Sequence, residues 1–271
     1  MNTRALLVTH HHKADILRPI MESYGWTLDD LDLDTDALGT FSGDIPRRGS
    51  PLEVVTRKAL LGRGHGRGAW LCASEGSVTT NLVGIATNLE IVALVSHDER
   101  VMITGEALEP DALVTSLRVL PTTSDEEIVE CAVRGVRDGL HLMVSSDDHH
   151  TAALGALSSI EEVLAACRAF GRDTTLHVQT DYRAHLCPPR RVVIARATLD
   201  LMKRLATSCP RCHRGGWGRA DAIIGRPCAD CGGATDELLG HWWRCPWCHH
   251  TDSESIAGVD VDPSRCSWCN P

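Results

Sequence analysis

The sequence predicts an α/β domain followed by a small metal-stabilised module. Three observations carry that expectation. Short apolar runs alternate with stretches of helical periodicity through the first 206 residues. Composition then turns abruptly to Cys, Trp, Gly and His near Thr207. Beyond that point, eight of the twelve cysteines form four Cys-x-x-Cys pairs. The expected domains are 1–206 and 207–271, one large unit with a small one appended.

The elements follow in order. Ala5-Leu6-Leu7-Val8 reads as a buried strand, and Ile16, Leu17, Ile20, Met21 and Tyr24 then share one helical face. A helix is expected over 51–61, with Ser50 as its cap and Pro51 in the tolerated first turn. Residues 69–73 form a strand, and 90–96 with 101–106 form an antiparallel hairpin around His97-Asp98-Glu99-Arg100. Helices follow at 125–137 and 159–169, the second opened by Ser159-x-x-Glu162, whose side chains can satisfy each other's free N–H groups. Strands are expected at 141–145 and 175–179, and a last helix over 189–206 aligns Val193, Ile194, Ala197, Leu201 and Leu205.

Apolar residues make up 43% of the chain and charged ones 23%, which suits a folded core. The net charge of −9 argues against broad electrostatic attachment to nucleic acid or an anionic membrane. Residues 207–271 share that balance, with six Arg and no Lys against eight Asp and Glu. No run of 18 apolar residues occurs, so a cytoplasmic protein without a membrane partner is expected. A reducing compartment disfavours disulfides and makes paired cysteines read as metal ligands.

The pairs are Cys209/Cys212, Cys228/Cys231, Cys245/Cys248 and Cys266/Cys269. Two thiolates three residues apart chelate one ion through a tight turn, and two such knuckles complete the tetrahedral Cys₄ shell of structural zinc. Two structural zinc ions in a double zinc ribbon are therefore expected. An iron–sulfur cluster also uses thiolate quartets. The spacing admits sequential pairing of neighbouring knuckles and a nested arrangement, with the middle pairs inside the outer ones. Five tryptophans, at 217, 242, 243, 247 and 268, are expected to pack beside the knuckles rather than stack on bases.

In the larger domain, the segment SPLEVVTRKA (50–59) is followed at a fixed distance by Ala73-Ser74-Glu75-Gly76-Ser77. This order resembles the inosine triphosphatase family of house-cleaning nucleotide pyrophosphatases, with its T-x-E-E-N-A-x-x-K-A helix and a strand ending in A-D-D-S-G. Leu7-Val8-Thr9-His10-His11-His12-Lys13 stands where that family has A-T-x-N-x-x-K, one residue shorter and with His for Asn. NLEIVALV and VMITGEAL are similar to its long hairpin, of whose E-G-x-x-x-G stretch only Gly105-Glu106 survives. The resemblance implies a mixed sheet with flanking helices. It also implies a nucleotide substrate and Mg²⁺, with Glu53 and Glu75 holding metal and water and Lys13 and Lys58 holding phosphates. Thr9, His12 and Ser77 would line the same site.

The whole-chain layout is also similar to bacterial proteins of an uncharacterised domain family, through Gly39-Thr40-Phe41, ASEGS, the TDYRAHLCPPR stretch (180–190) and the Cys-Asn-Pro end (269–271). That likeness names no activity.

Phosphoanhydride hydrolysis requires charge neutralisation on the phosphates and an oriented water. Asp181, Arg183, His185 and Arg190 precede a helix N-terminus and supply guanidinium groups suited to an anion or a base. Each group also has a plain structural reading: Glu53 as a helix-dipole partner, Lys58 as a solvated helix residue, and the 180–190 stretch as a salt-bridged turn. Two further readings stand beside the nucleotide one. In the first, the zinc ribbons belong to a non-enzymatic adaptor that binds protein or nucleic acid. The second is metal-dependent hydrolysis at the His10–His12 loop.

Overall fold

A computed structural model describes residues 3–9, 13–39, 48–65, 68–80, 85–147, 153–171 and 173–271. Within them the protein is mixed α/β, with five α-helices and three sheets. The chain divides into two compact units, Met1–Met202 and Lys203–Pro271. Residues 10–12, with His12 and the histidine-loop reading, lie outside the described residues, as do Thr40 and Phe41.

The main sheet of the first unit has the order β2-β1-β3-β4-β5. Its strands are β1 (Arg4–Thr9), β2 (Thr27–Asp32), β3 (Trp70–Thr80), β4 (Ala86–Val95) and β5 (Met102–Pro110). β1 runs parallel to both its neighbours, β2 and β3, and helix α1 (Ala14–Ser23) makes the crossover that a parallel β1–β2 pair requires. From β3 onward the sheet is an antiparallel meander that includes the expected hairpin.

Helix α2 (Pro51–Leu60) covers one face, where Val55 and Ala59 pack on Leu71, Ala73, Ile91 and Ala93. Burying such apolar side chains stabilises by about 1.5–3 kcal/mol each. Helix α5 (Pro188–Ala206) covers the opposite face and comes so close to Gly105 that a Cβ there would strike Ala197 and Leu201.

A second sheet, in the order β6-β9-β7-β8, is antiparallel throughout: β6 (Ser116–Val119), β7 (Leu142–Ser146), β8 (Leu154–Leu157) and β9 (Leu176–Thr180). Helices α3 (Asp125–Arg137) and α4 (Ile160–Phe170) form its core with Ile128, Cys131, Val163, Cys167, Leu142, Val144 and Val178. Ser159 and Glu162 form the expected reciprocal cap of α4, and Ser124 and Glu127 cap α3 in the same way.

The second unit is built on a three-stranded antiparallel sheet, β10 (Gly218–Ile224), β11 (Leu238–Arg244) and β12 (Thr251–Ser255), in that order.

Candidate functional site

Two constellations stand out, one in each unit. In the second unit all eight paired cysteines converge into two quartets, and none of them is in a disulfide. Their membership is neither sequential nor nested. Cys209 and Cys212 meet Cys245 and Cys248, whereas Cys228 and Cys231 meet Cys266 and Cys269. The reason is topological. One strand lies between each knuckle and the next, so successive knuckles alternate between the two ends of the sheet. First and third therefore share one end, second and fourth the other.

The Sγ atoms of Cys209 and Cys248 are 3.8 Å apart, those of Cys212 and Cys245 3.6 Å, and those of both Cys228–Cys269 and Cys231–Cys266 3.8 Å. Bonds of about 2.3 Å from a tetrahedral zinc place sulfurs about 3.8 Å apart, so both quartets fit a zinc module. Backbone N–H groups of Arg211, Trp247 and Gly233 point at Cys209, Cys245 and Cys231, each at 3.4 Å. The residue after the second cysteine is left-handed in three knuckles, at His213, Gly232 and His249, which turns the chain tightly enough to aim both sulfurs inward.

The quartets differ in their surroundings. Trp217, Trp243 and Trp247 pack on the first, Trp247 Nε1 donates to the Gly215 carbonyl at 2.8 Å, and the Arg214 guanidinium lies 4.9 Å from the Trp247 ring centre. These three tryptophans pack as expected. Trp268 does not, being 83% exposed, and Trp242 is 44% exposed. At the second quartet Cys231 and Cys269 are exposed, and the Asp230 carboxylate sits 3.8 Å from Cys269.

The first unit holds a cluster of buried charge. Lys13, Lys58, Glu75, Glu90 and Arg190 are all buried in or against the five-stranded sheet. The β1–β3 ladder runs from Ala5↔Trp70 to Leu7↔Cys72 and stops there, which uncovers the next carbonyls of β3. Lys13, at the start of α1, donates from Nζ to one of them, the Ser74 oxygen, at 3.2 Å.

Glu75 points to the α2 face, where Lys58 Nζ lies 2.6 Å from its Oε2. Glu90 pairs across the ladder with Gly76 and so points to the α5 face, where its Oε1 accepts from Arg190 Nε. Arg190 also donates to the Tyr182 carbonyl. Only glycine fits at position 76: a Cβ there would fall on Glu90 Oε1 and lie 2.6 Å from Arg190 Nη2. Burial is the main force that brings the Lys13 amine down to about 7. Arg190 and Lys58 add to it, and Glu90 and Glu75 oppose.

Of the sequence-predicted residues, the fold brings together Lys13, Lys58, Glu75 and Arg190, with Thr9 buried at the end of β1 and Ser77 half-buried on β3. Lys58 is buried, not solvated. Glu53 is placed elsewhere. It is exposed and closes the α2 capping box, where its Oε2 accepts from the Ser50 backbone N–H at 2.7 Å, and that bond holds its carboxyl below the usual range. Asp181 is buried, but it binds Arg183 Nε at 2.9 Å and the Ala156 N–H at 3.0 Å, a salt-bridged turn before α5. Burial alone would raise the Asp181 carboxyl, and those donors outweigh it and bring it down. His185 is exposed on the same turn.

Glu90 and Gly76 are members that sequence reasoning missed. The available signal was a lone acid, Glu90, directly before the apolar run Ile91–Val95.

A family model described as Domain of unknown function (DUF6671) matches residues 67–271, a span that contains Glu75, Glu90, Arg190 and all eight paired cysteines. No curated protein and no solved structure matches the chain. Among the described residues no helix is long and apolar enough to cross a membrane.

Proposed function

We propose, for a chain that belongs to the DUF6671 family, that the first unit binds the phosphate groups of a nucleotide and hydrolyses a phosphoanhydride. The second unit is a zinc module with one structural zinc in each thiolate quartet. The observation that carries the nucleotide reading is Lys13, a buried amine where the β1–β3 ladder ends, with the Lys58–Glu75 pair on one face of the sheet beside it and the Arg190–Glu90 pair on the other. Strand ends that separate in an α/β sheet form a ligand crevice. Lys58 and Arg190 are each balanced by a carboxylate, so a protonated Lys13 is the charge in excess, and a bound anion compensates it at low dielectric. The order of Lys13, Lys58 and Glu75 along the chain supports the inosine-triphosphatase-like version of this reading.

Magnesium fits less well. Glu53 caps a helix, Glu75 is ion-paired with Lys58, and Glu75 and Glu90 point to opposite faces of the sheet. Charge neutralisation on the phosphates thus falls to the amines and the guanidinium, whose fixed positions favour the charge that develops as the anhydride breaks. With its pKa brought down to about 7, Lys13 is also able to exchange a proton near neutral pH.

The test is phosphate release, with pyrophosphatase added, over a panel of standard and deaminated nucleoside triphosphates, alongside binding titrations of the same compounds. Turnover that falls at least about a hundredfold in Lys13→Met, which removes the amine assigned both phosphate contact and proton exchange, is the expected result. Wild-type protein that neither binds nor hydrolyses any of them sinks the reading.

The exposed Trp242 and Trp268 favour a second reading, a zinc-ribbon adaptor for protein or nucleic acid. The acidic balance of 207–271 makes protein the better partner.

A further inference from the structure

We infer that the α5 face beside the charged cluster is a second subsite, which takes the hydrogen-bond-donating part, hydroxyl or N–H, of the phosphorylated ligand. The inference rests on the anion-binding reading and adds what the rest of the ligand must look like.

Four side chains carry it. Thr9 Oγ1, Ser74 Oγ, Asn88 Oδ1 and Glu90 Oε2 are buried and have no hydrogen-bond partner among the described residues. They share one face. Glu90 pairs with Gly76, and Asn88 with Val78, so both lie on the same side of the β3–β4 ladder as Ser74, two residues before Gly76. Leu7 pairs with Cys72 in the parallel ladder, and Thr9 and Ser74 each follow two residues on, so Thr9 points the same way. This is the face that carries Gly105 and receives Arg190.

One buried polar atom without a partner costs about 1–3 kcal/mol, and four on one face of a sheet are a poor way to build a core. They are a good way to build a binding surface. Glu90 Oε2 and Asn88 Oδ1 only accept, while the two hydroxyls accept or donate, so the partner must bring donors. A bare metal cation is disfavoured by Arg190 and Lys13 alongside. Sugar hydroxyls or the N–H groups of a base supply the donors, and the neighbouring cations hold the phosphate that carries them.

The test is calorimetric titration of the full chain with inorganic phosphate, ribose 5-phosphate and guanosine 5′-monophosphate, repeated with Asn88→Leu. Both organic phosphates, or the nucleotide alone, should bind at least about tenfold tighter than inorganic phosphate. Asn88→Leu should remove about tenfold of that gain and leave inorganic phosphate unchanged, since one buried hydrogen bond is worth about 1.4 kcal/mol. A gain shared by ribose 5-phosphate assigns the sugar hydroxyls, and a gain confined to the nucleotide assigns the base. Three equal affinities, or an unaltered gain in Asn88→Leu, overturn this subsite and leave the anion site standing. No binding by any of the three overturns both. Should Asn88→Leu not fold, Ser74→Ala is read by the same criteria.

Discussion

Lys13 has to lose water on every side, and the nearest counter-charges, Glu90 and Glu75, are already paired to Arg190 and Lys58. Its amine therefore ionises less readily in the fold than in the unfolded chain, at about 7 against the ordinary 10.5. Between those values the unfolded state binds more protons, so this group makes stability rise with pH through that window. Its penalty is fully present below about 7 and is relieved toward 10.5. Lys13→Met should accordingly raise the unfolding free energy obtained from urea titration more at pH 6 than at pH 10, by on the order of a few kcal/mol in the difference. Equal effects at both pH values would show that the amine is not held in a dry site.

The Arg190–Glu90 pair makes a companion case. Removing one partner leaves a buried charge alone, so Glu90→Leu should cost about 3–5 kcal/mol, and adding Arg190→Met should recover much of it. A double variant no better than the single would mean that packing, not charge, sets the cost. At this scale the order and spacing of Lys58 and Glu75 were legible in the sequence, and the structure adds that the two are buried and paired. Glu53 was expected in the site and stands in the α2 capping box, because Ser-x-x-Glu at a helix start satisfies that cap equally well. Glu90 was passed over because a single acid in an apolar strand carries no periodicity to announce it.

Among elements, strongly periodic segments and the edge strand β5 of the hairpin were readable, whereas the edge strands β2 and β8 were not. Helices α2, α3, α4 and α5 lie within a residue or so of their expected bounds, and the three with capping boxes start where a serine stands three residues before a glutamate. β2 escaped notice because half of its TLDDLD run is acidic, which a sheet-edge strand tolerates through Arg4–Asp29 and Arg18–Asp30 pairs. β8 is four residues of Leu-Gly-Ala-Leu, too short to show alternation.

The cysteine knuckles were certain and their partnership was not, because spacing alone does not say that a strand occupies each gap. Their unequal surroundings give a prediction at this scale. The quartet with exposed Cys231 and Cys269, lacking the tryptophan cover of the other, should surrender its metal first. Release followed with a chromogenic chelator should be biphasic, one equivalent per phase, and Cys266→Ser should retain only the slow phase. A single phase of two equivalents in the wild type would mean that the two quartets are equally protected.

At the scale of the whole chain, the two units are held together by different means. The first has groups of buried apolar side chains packed against both its sheets, whereas the buried apolar residues of Lys203–Pro271 are Cys209, Trp217, Cys228, Cys245, Val261 and Cys266. Four of those six are thiols of the quartets. So small a sheet, with β12 exposed along its length, does not bury enough surface to offset chain entropy, and a structural zinc contributes on the order of 10–16 kcal/mol instead. Metal removal should then melt one unit and spare the other. After chelation, hydrogen exchange read by mass spectrometry should show the amides of β10, β11 and β12 losing protection. Those of β3, β4 and β7, whose carbonyl partners lie in sheets with apolar cores, should exchange as before. Loss of protection in both units would tie the first unit's stability to the metals. Retention in both would mean that the second unit folds without them, and the thiolate quartets would need another explanation.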